Sequence, residues 1–299
     1  MYRYILLDSS QHMRFSSRLD RLGAQYISLF DGHPEEPFRD IAPLLIDVTV
    51  DGDVTRSVID ETTRIGLLKP CVSTLDSTKS LHELGEHLRK FHLFEMPGGK
   101  LIVMRWYDTR ILPAVMSVLN PQQAATFSDG ITAWKIYNRF GLVEEQQLPN
   151  CSDLRSREPI PLTLDFAQEQ TLFDAAEPDK LIHELRRNIR AEIDRVPRDI
   201  LHPFISSQWQ RARECGITDR DDQLQLMILA LSTSGNYVEY SGIADRLKAG
   251  FANSQEPFQQ WIETLPAEAW TAGQPLWAID AKAQENSNGR SASEASHRL

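Results

Sequence analysis

The stretch "SLHELGEHLRKFHLFEMPGGKLIVMRWYDTRIL", residues 80–112, decides how the first half of the chain folds. Leu81, Leu84 and Leu88 recur at i, i+3 and i+7, which predicts a helix with one apolar stripe. "FHLFEM" and "LIVMRWY" flank "PGGK" and predict an antiparallel hairpin. The four apolar residues of "LIVM" in a row read as a central strand covered on both faces. Its exit is crowded by Arg105, Trp106, Tyr107, Asp108 and Arg110. Strand alternation sends Arg105 and Tyr107 to one face, and Trp106 and Asp108 to the other. Asp108 stands where a helix N-cap belongs, so its replacement by alanine is expected to cost about 1 kcal/mol. An arginine at the inner end of a strand needs a carboxylate, because an unpaired buried charge is costly. Asp31 and Asp108 are the candidates for Arg105 or Arg110.

Outward from this block, residues 1–148 alternate short apolar runs with amphipathic segments, the pattern of an α+β domain. "YRYILLD", "QYISLF", "APLLIDVTV", "LLKPCVSTL", "ITAWKIYN" and "GLVEEQQL" read as strands, with Pro70 placing the fourth at an edge or bulge. "MRFSSRLDRLG", closed by Gly23, and "DVTRSVIDETTR", with Asp53 as N-cap, read as helices. "TRILPAVMSVLN" and "PQQAATF" follow as two more. The expected architecture is a mixed, mainly antiparallel sheet with flanking helices. The polar, Pro-containing residues 149–160 form a linker. Over 161–272 the β signal nearly vanishes and Leu181, Leu185, Ile189 and Ile193 share a helical stripe, which predicts a smaller all-helical C-terminal domain. Residues 273–299 are polar, low in complexity and expected to be disordered.

The chain of 299 residues carries a net charge of −10, which argues against nucleic acid as a partner, since phosphate contacts need clustered Lys and Arg. No run approaches the roughly 20 apolar residues of a membrane span, and the N-terminus reads as a strand and not as a signal peptide. A cytoplasmic protein is expected. Cys71, Cys151 and Cys215 are odd in number, far apart and without metal-ligand spacing. In "HELGEH" the two histidines are five residues apart, about 140° around a helix, instead of one turn. Both are expected to be solvated. "PGGK" lacks the upstream Gly and downstream Ser/Thr of a phosphate-binding loop. No Gly-x-Ser-x-Gly elbow occurs. No catalytic set, cofactor site or metal site is therefore expected. A hydrolase or transferase using His12, Asp8 and Arg105 requires those three groups to converge.

The order of the pieces resembles the DUF4123 family: "SLFDG", "APLLI", the 80–112 block with its "RWYD-R" end, "LNPQQAATF", and the Trp of "DGITAW". The resemblance covers about residues 3–137. The family's usual Pro directly after the Asp is Thr109 here, with Pro113 a turn later, which would displace or kink the first helical turn. The resemblance implies an effector chaperone or adaptor of bacterial type VI secretion. Such a protein binds a secreted effector in the cytoplasm and loads it onto the valine-glycine-repeat spike protein (VgrG) or a tip protein, without catalysis. The amphipathic residues at the corner are then candidates for partner binding: Phe30, Asp31, Arg105, Trp106, Tyr107, Asp108, Arg110 and Trp134. An immunity-type binding protein is the alternative within the binding class.

Overall fold

The computed structural model describes residues 1–149, 158–252 and 254–278. The chain divides into two compact units, Met1–Ala175 and Ala176–Leu299. Most of the expected linker and tail, with Cys151, lies outside the described residues.

The first unit is built on a six-stranded, wholly antiparallel sheet. Its strands are β1 (Tyr2–Asp8), β2 (Tyr26–Ser28), β3 (Pro43–Asp47), β4 (Val72–Ser77), β7 (Ile131–Tyr137) and β8 (Val143–Glu145), in the order β2-β3-β1-β4-β7-β8. Its helices are α1 (Phe15–Leu22), α2 (Asp53–Leu68), α3 (Leu81–Arg89), α4 (Leu112–Val118) and α5 (Pro121–Phe127). A second, three-stranded sheet has the order β6-β5-β9, with β5 (Leu93–Glu95), β6 (Leu101–Val103) and β9 (Leu162–Thr163). β5 and β6 are the expected hairpin. β9 adds to β5 in parallel, and Leu162 and Leu164 enter the same core, so the first unit extends past residue 160.

Register assigns the faces of the large sheet. Tyr4 stands opposite Leu75, and Leu75 opposite Trp134, so these three point to one side. There they meet Phe91, Trp106 and Phe127, with ring centroids 5.0–5.9 Å apart among Phe91, Trp106, Phe127 and Trp134. On the other side Ile5, Thr74 and the Arg3–Asp76 ion pair (2.8 Å) face α2.

Several local expectations are corrected. "LIVMRWY" is no central strand: β6 holds only three residues, at the edge of the small sheet, with Leu101 and Val103 exposed. Apolar side chains on an outer strand are tolerated, so four in a row do not require cover on both faces. The chain leaves the strand pairing after Met104, whose amide still bonds the His92 carbonyl, and turns so that Trp106, Tyr107 and Asp108 are all buried. The alternation argument fails there because those residues are not extended. α4 starts at Leu112, not at Asp108, with Pro113 in its first turn. Pro70 precedes β4, which is internal to the sheet. No ladder bond is lost, and the Pro70 carbonyl accepts from Thr109 N and Gln11 Nε2. Asp53 is the first residue of α2, and Gly52 holds the cap position.

The second unit contains the C-terminal part of α6 (Phe166–Asn188), followed by α7 (Arg190–Ile193), α8 (Arg198–Glu214), α9 (Arg220–Thr233), α10 (Ile243–Ala249), α11 (Phe258–Glu263) and α12 (Ala267–Trp270). Leu181, Leu185 and Ile193 of the expected stripe are fully buried. Asp219 caps α9 through the amides of Asp221 and Asp222, and Arg220 bridges Glu177 and Glu184 at 2.9 and 2.8 Å. Among the described residues no helix is long and apolar enough to cross a membrane.

Candidate functional site

Arg105, Asp108 and Arg110, singled out by sequence, gather with Asp8 at one corner of the first unit, where β1 ends and the chain leaves β6. Asp8 closes β1, and its carboxylate is fully buried. It accepts from the Ser10 amide (3.0 Å), the Ser10 hydroxyl (2.7 Å), Gln11 Nε2 (3.4 Å) and Arg105 Nη2 (2.9 Å). Asp108, equally buried, accepts from the backbone amide, Nε and Nη2 of Arg110 at 3.0, 3.0 and 2.6 Å. Arg105 Nη2 also lies 3.9 Å from Asp108, so two carboxylates and two guanidinium groups form one network. Burial opposes the charge of Arg105, but Asp8 and Asp108 outweigh it and its pKa is raised.

Tyr107 joins this network to a second one. Burial pushes its pKa up to about 12, and its ring packs edge-on against Phe30, with Arg105 6.0 Å from its centroid. Phe30 in turn packs on His92, whose ring stacks on His33 with centroids 4.3 Å apart. His92 donates to Glu35 (3.1 Å), and burial, then the neighbouring His33, lowers its pKa. Arg89, at the end of α3, donates to the Ser28 carbonyl and to Asp31 (2.7 Å). These bonds pin the loop after β2 onto α3.

The eight predicted partner-binding residues thus split by burial. Phe30, Trp106, Tyr107 and Trp134 are buried in the core, and Asp108 is buried with its carboxylate on Arg110. Arg105, Arg110 and Asp31 keep 43%, 34% and 47% of their side chains exposed. Of the expected pairings, Arg110 takes Asp108; Arg105 instead takes Asp8, and Asp31 goes to Arg89. Sequence reading missed Arg89, His92 and the role of Asp8, because their partners lie 57 to 97 residues away. No local spacing encodes such pairs.

The triad postulated for hydrolysis does not assemble. Asp8 and Arg105 meet, but the His12 ring packs against Phe15 and bonds neither. Burial pushes the Cys71 thiol up to about 12, which leaves it protonated.

His82 is exposed and pairs with Glu86, as a solvated histidine should. His87, expected to be solvated too, is buried and donates from Nε2 to the Phe127 carbonyl at 2.9 Å. Burial pushes its pKa down to about 4 from 6.5, against the opposing effect of that hydrogen bond. The unfolded chain therefore takes up a proton that the folded chain refuses. This contribution to stability is complete above about pH 6.5 and is lost as pH falls toward 4, amounting to roughly 2 kcal/mol between about pH 7 and about pH 5. Denaturant unfolding at both pH values should show that loss, and His87→Gln should reduce it by most of this amount.

Comparison with curated proteins gives no match, and comparison with solved structures gives none. Residues 3–126, which contain both ion-paired networks and stop short of Trp134, match the family model described as "Domain of unknown function (DUF4123)", the family that the motif order resembles.

Proposed function

We propose that the chain is a non-enzymatic adaptor that binds a type VI secretion effector in the cytoplasm and loads it onto the VgrG spike or a tip protein. The observation that carries this reading is the family match over residues 3–126, together with the role the motif resemblance implies. The state of the corner residues supports it. The carboxylates of Asp8 and Asp108 are saturated by donors that brace the backbone, and the Ser10 hydroxyl donates to Asp8 while accepting from Arg105. Such a network holds a platform rigid and presents guanidinium edges to another protein, in the way interface anchors do.

Co-expression with the effector and spike proteins encoded beside it tests this reading. A stable complex with an effector, and loss of that effector from the spike fraction when the adaptor is deleted, are expected. Failure to retain any neighbouring effector or spike component would remove the proposal. Protection of a target cell by this protein alone, with secretion unaffected, would transfer it to the immunity class.

A further inference from the structure

The loop between β2 and β3, which carries Phe30 and Asp31, is held down at its centre by a pair of histidines. Its ends are fixed by backbone bonds, from Leu29 N to the Pro43 carbonyl (2.9 Å) and from Arg14 N to the Asp40 carbonyl (3.2 Å). The bonds that tie residues 31–38 to the end of α3 and the start of β5 come from side chains. Asp31 accepts from Arg89 Nη2 (2.7 Å), His33 Nε2 donates to the Arg89 carbonyl (3.1 Å), and Glu35 accepts from His92 Nε2 (3.1 Å). Between these bonds the two imidazoles lie nearly face to face, with centroids 4.3 Å apart and planes 27° from parallel. Phe30 packs edge-on against His92 on one side and Tyr107 on the other.

Charge around this stack is balanced for one added proton and not for two. The loop brings Asp31, Glu35, Glu36 and Arg39, α3 brings Arg89, and the chain after β6 brings Tyr107 with Arg105 beside its ring. Asp31 is committed to Arg89, and Arg105 to Asp8. Glu36 and Arg39 line one pocket with His33 and cancel each other's charge. Tyr107, its pKa pushed up to about 12 by burial, stays neutral. Glu35 is left to offset one imidazolium. A second imidazolium in the stack would face a like charge across 4.3 Å, on a ring that is only 5% exposed. Burial, and then His33, hold the pKa of His92 below its ordinary value against the pull of Glu35. A histidine whose pKa is lowered in the closed form favours that form fully above about pH 6.5, and less as pH falls.

We propose that the His33–His92 stack is a proton-operated latch, which keeps residues 31–38 closed on α3 while it holds at most one proton and releases them when both rings are protonated. Release uncovers Phe30 and, behind it, the ring of Tyr107, both buried in the closed form. The device works on the chain alone and goes beyond the adaptor reading, so it stands or falls separately from effector binding.

The test is NMR relaxation dispersion on the full chain at pH 7.5 and pH 5.5, which reads microsecond-to-millisecond opening through the amides of Gly32, His33 and Glu36. The open population is expected to rise about tenfold over that interval, the change for one histidine that titrates near 6.5 only when the loop is open. His33→Gln keeps a donor for the Arg89 carbonyl and cannot take the second charge. It should hold the open population within about twofold between the two pH values, with the unfolding midpoint at pH 7.5 in place. Glu35→Gln removes the offsetting carboxylate, so at pH 5.5 its open population should exceed that of the wild type. An open population in the wild type that does not change with pH would overturn the proposal. A rise that survives His33→Gln undiminished would also overturn it, and would assign the response to another group such as His87.

Discussion

Trp106→Ala is expected to destabilise the first unit by about 3–5 kcal/mol, the range for removing a large buried aromatic. The indole is 1% exposed and packs on Phe127, Trp134 and Tyr107 with centroids 5.3, 5.9 and 5.7 Å away. Its Nε1 donates to the Phe91 carbonyl at 3.0 Å. Alanine leaves both a cavity at the meeting point of four rings and a buried carbonyl without its donor. Trp106→Phe keeps most of the packing and loses the donor, so a loss of about 1–2 kcal/mol is expected. Denaturant unfolding of both variants against wild type reads the two values. A binding anchor behaves in the opposite way: its removal leaves the midpoint unmoved and costs affinity. A loss below about 1 kcal/mol for the alanine variant would place Trp106 outside the core.

The contrast between Trp106 and Arg105, neighbours in sequence, shows what the sequence could and could not convey. Helix periodicity in Leu84 and Leu88, the turn at "PGGK" and the alternation of apolar runs and helices are local signals, and the elements they predict are present. Strand order is different. β4 lies between β1 and β7 because the segment between β4 and β7 folds away into its own small sheet, and that follows from long-range packing. The same holds for the site. Aromatic and charged residues in one short run look alike as a possible interface, and only the turn after Met104 decides that Trp106 and Tyr107 go inward while Arg105 stays half in water. The carboxylate for Arg105 came from the end of β1, 97 positions away, and no spacing rule reaches that far. Leu67 and Leu68 likewise read as the start of the fourth strand, whereas they close α2 and are exposed, and β4 begins only at Val72.

Asp108→Ala is the second large effect, expected at about 2–3 kcal/mol instead of the 1 kcal/mol of a lost helix cap. The carboxylate has no exposed surface and receives three donors from Arg110 alone. Removing one partner of a buried pair typically costs about 3–5 kcal/mol, and the figure is reduced here because the Arg110 side chain is 34% exposed and can turn toward water. Asp108→Asn keeps an acceptor for the Arg110 amide and loses the charge, so about half the cost should return. Arg110→Ala tests the same pair from the other side. It strands a fully buried carboxylate whose next cation, Arg105, is 3.9 Å away and already committed to Asp8. The double variant Asp108→Ala/Arg110→Ala removes both charges, so its cost should fall short of the sum of the singles by about 1 kcal/mol or more. Strict additivity in that cycle would show that the pair is not coupled. The corner would then be braced by the Thr109 hydroxyl on the Tyr137 carbonyl (2.6 Å) and by the buried rings, with its charges dispensable.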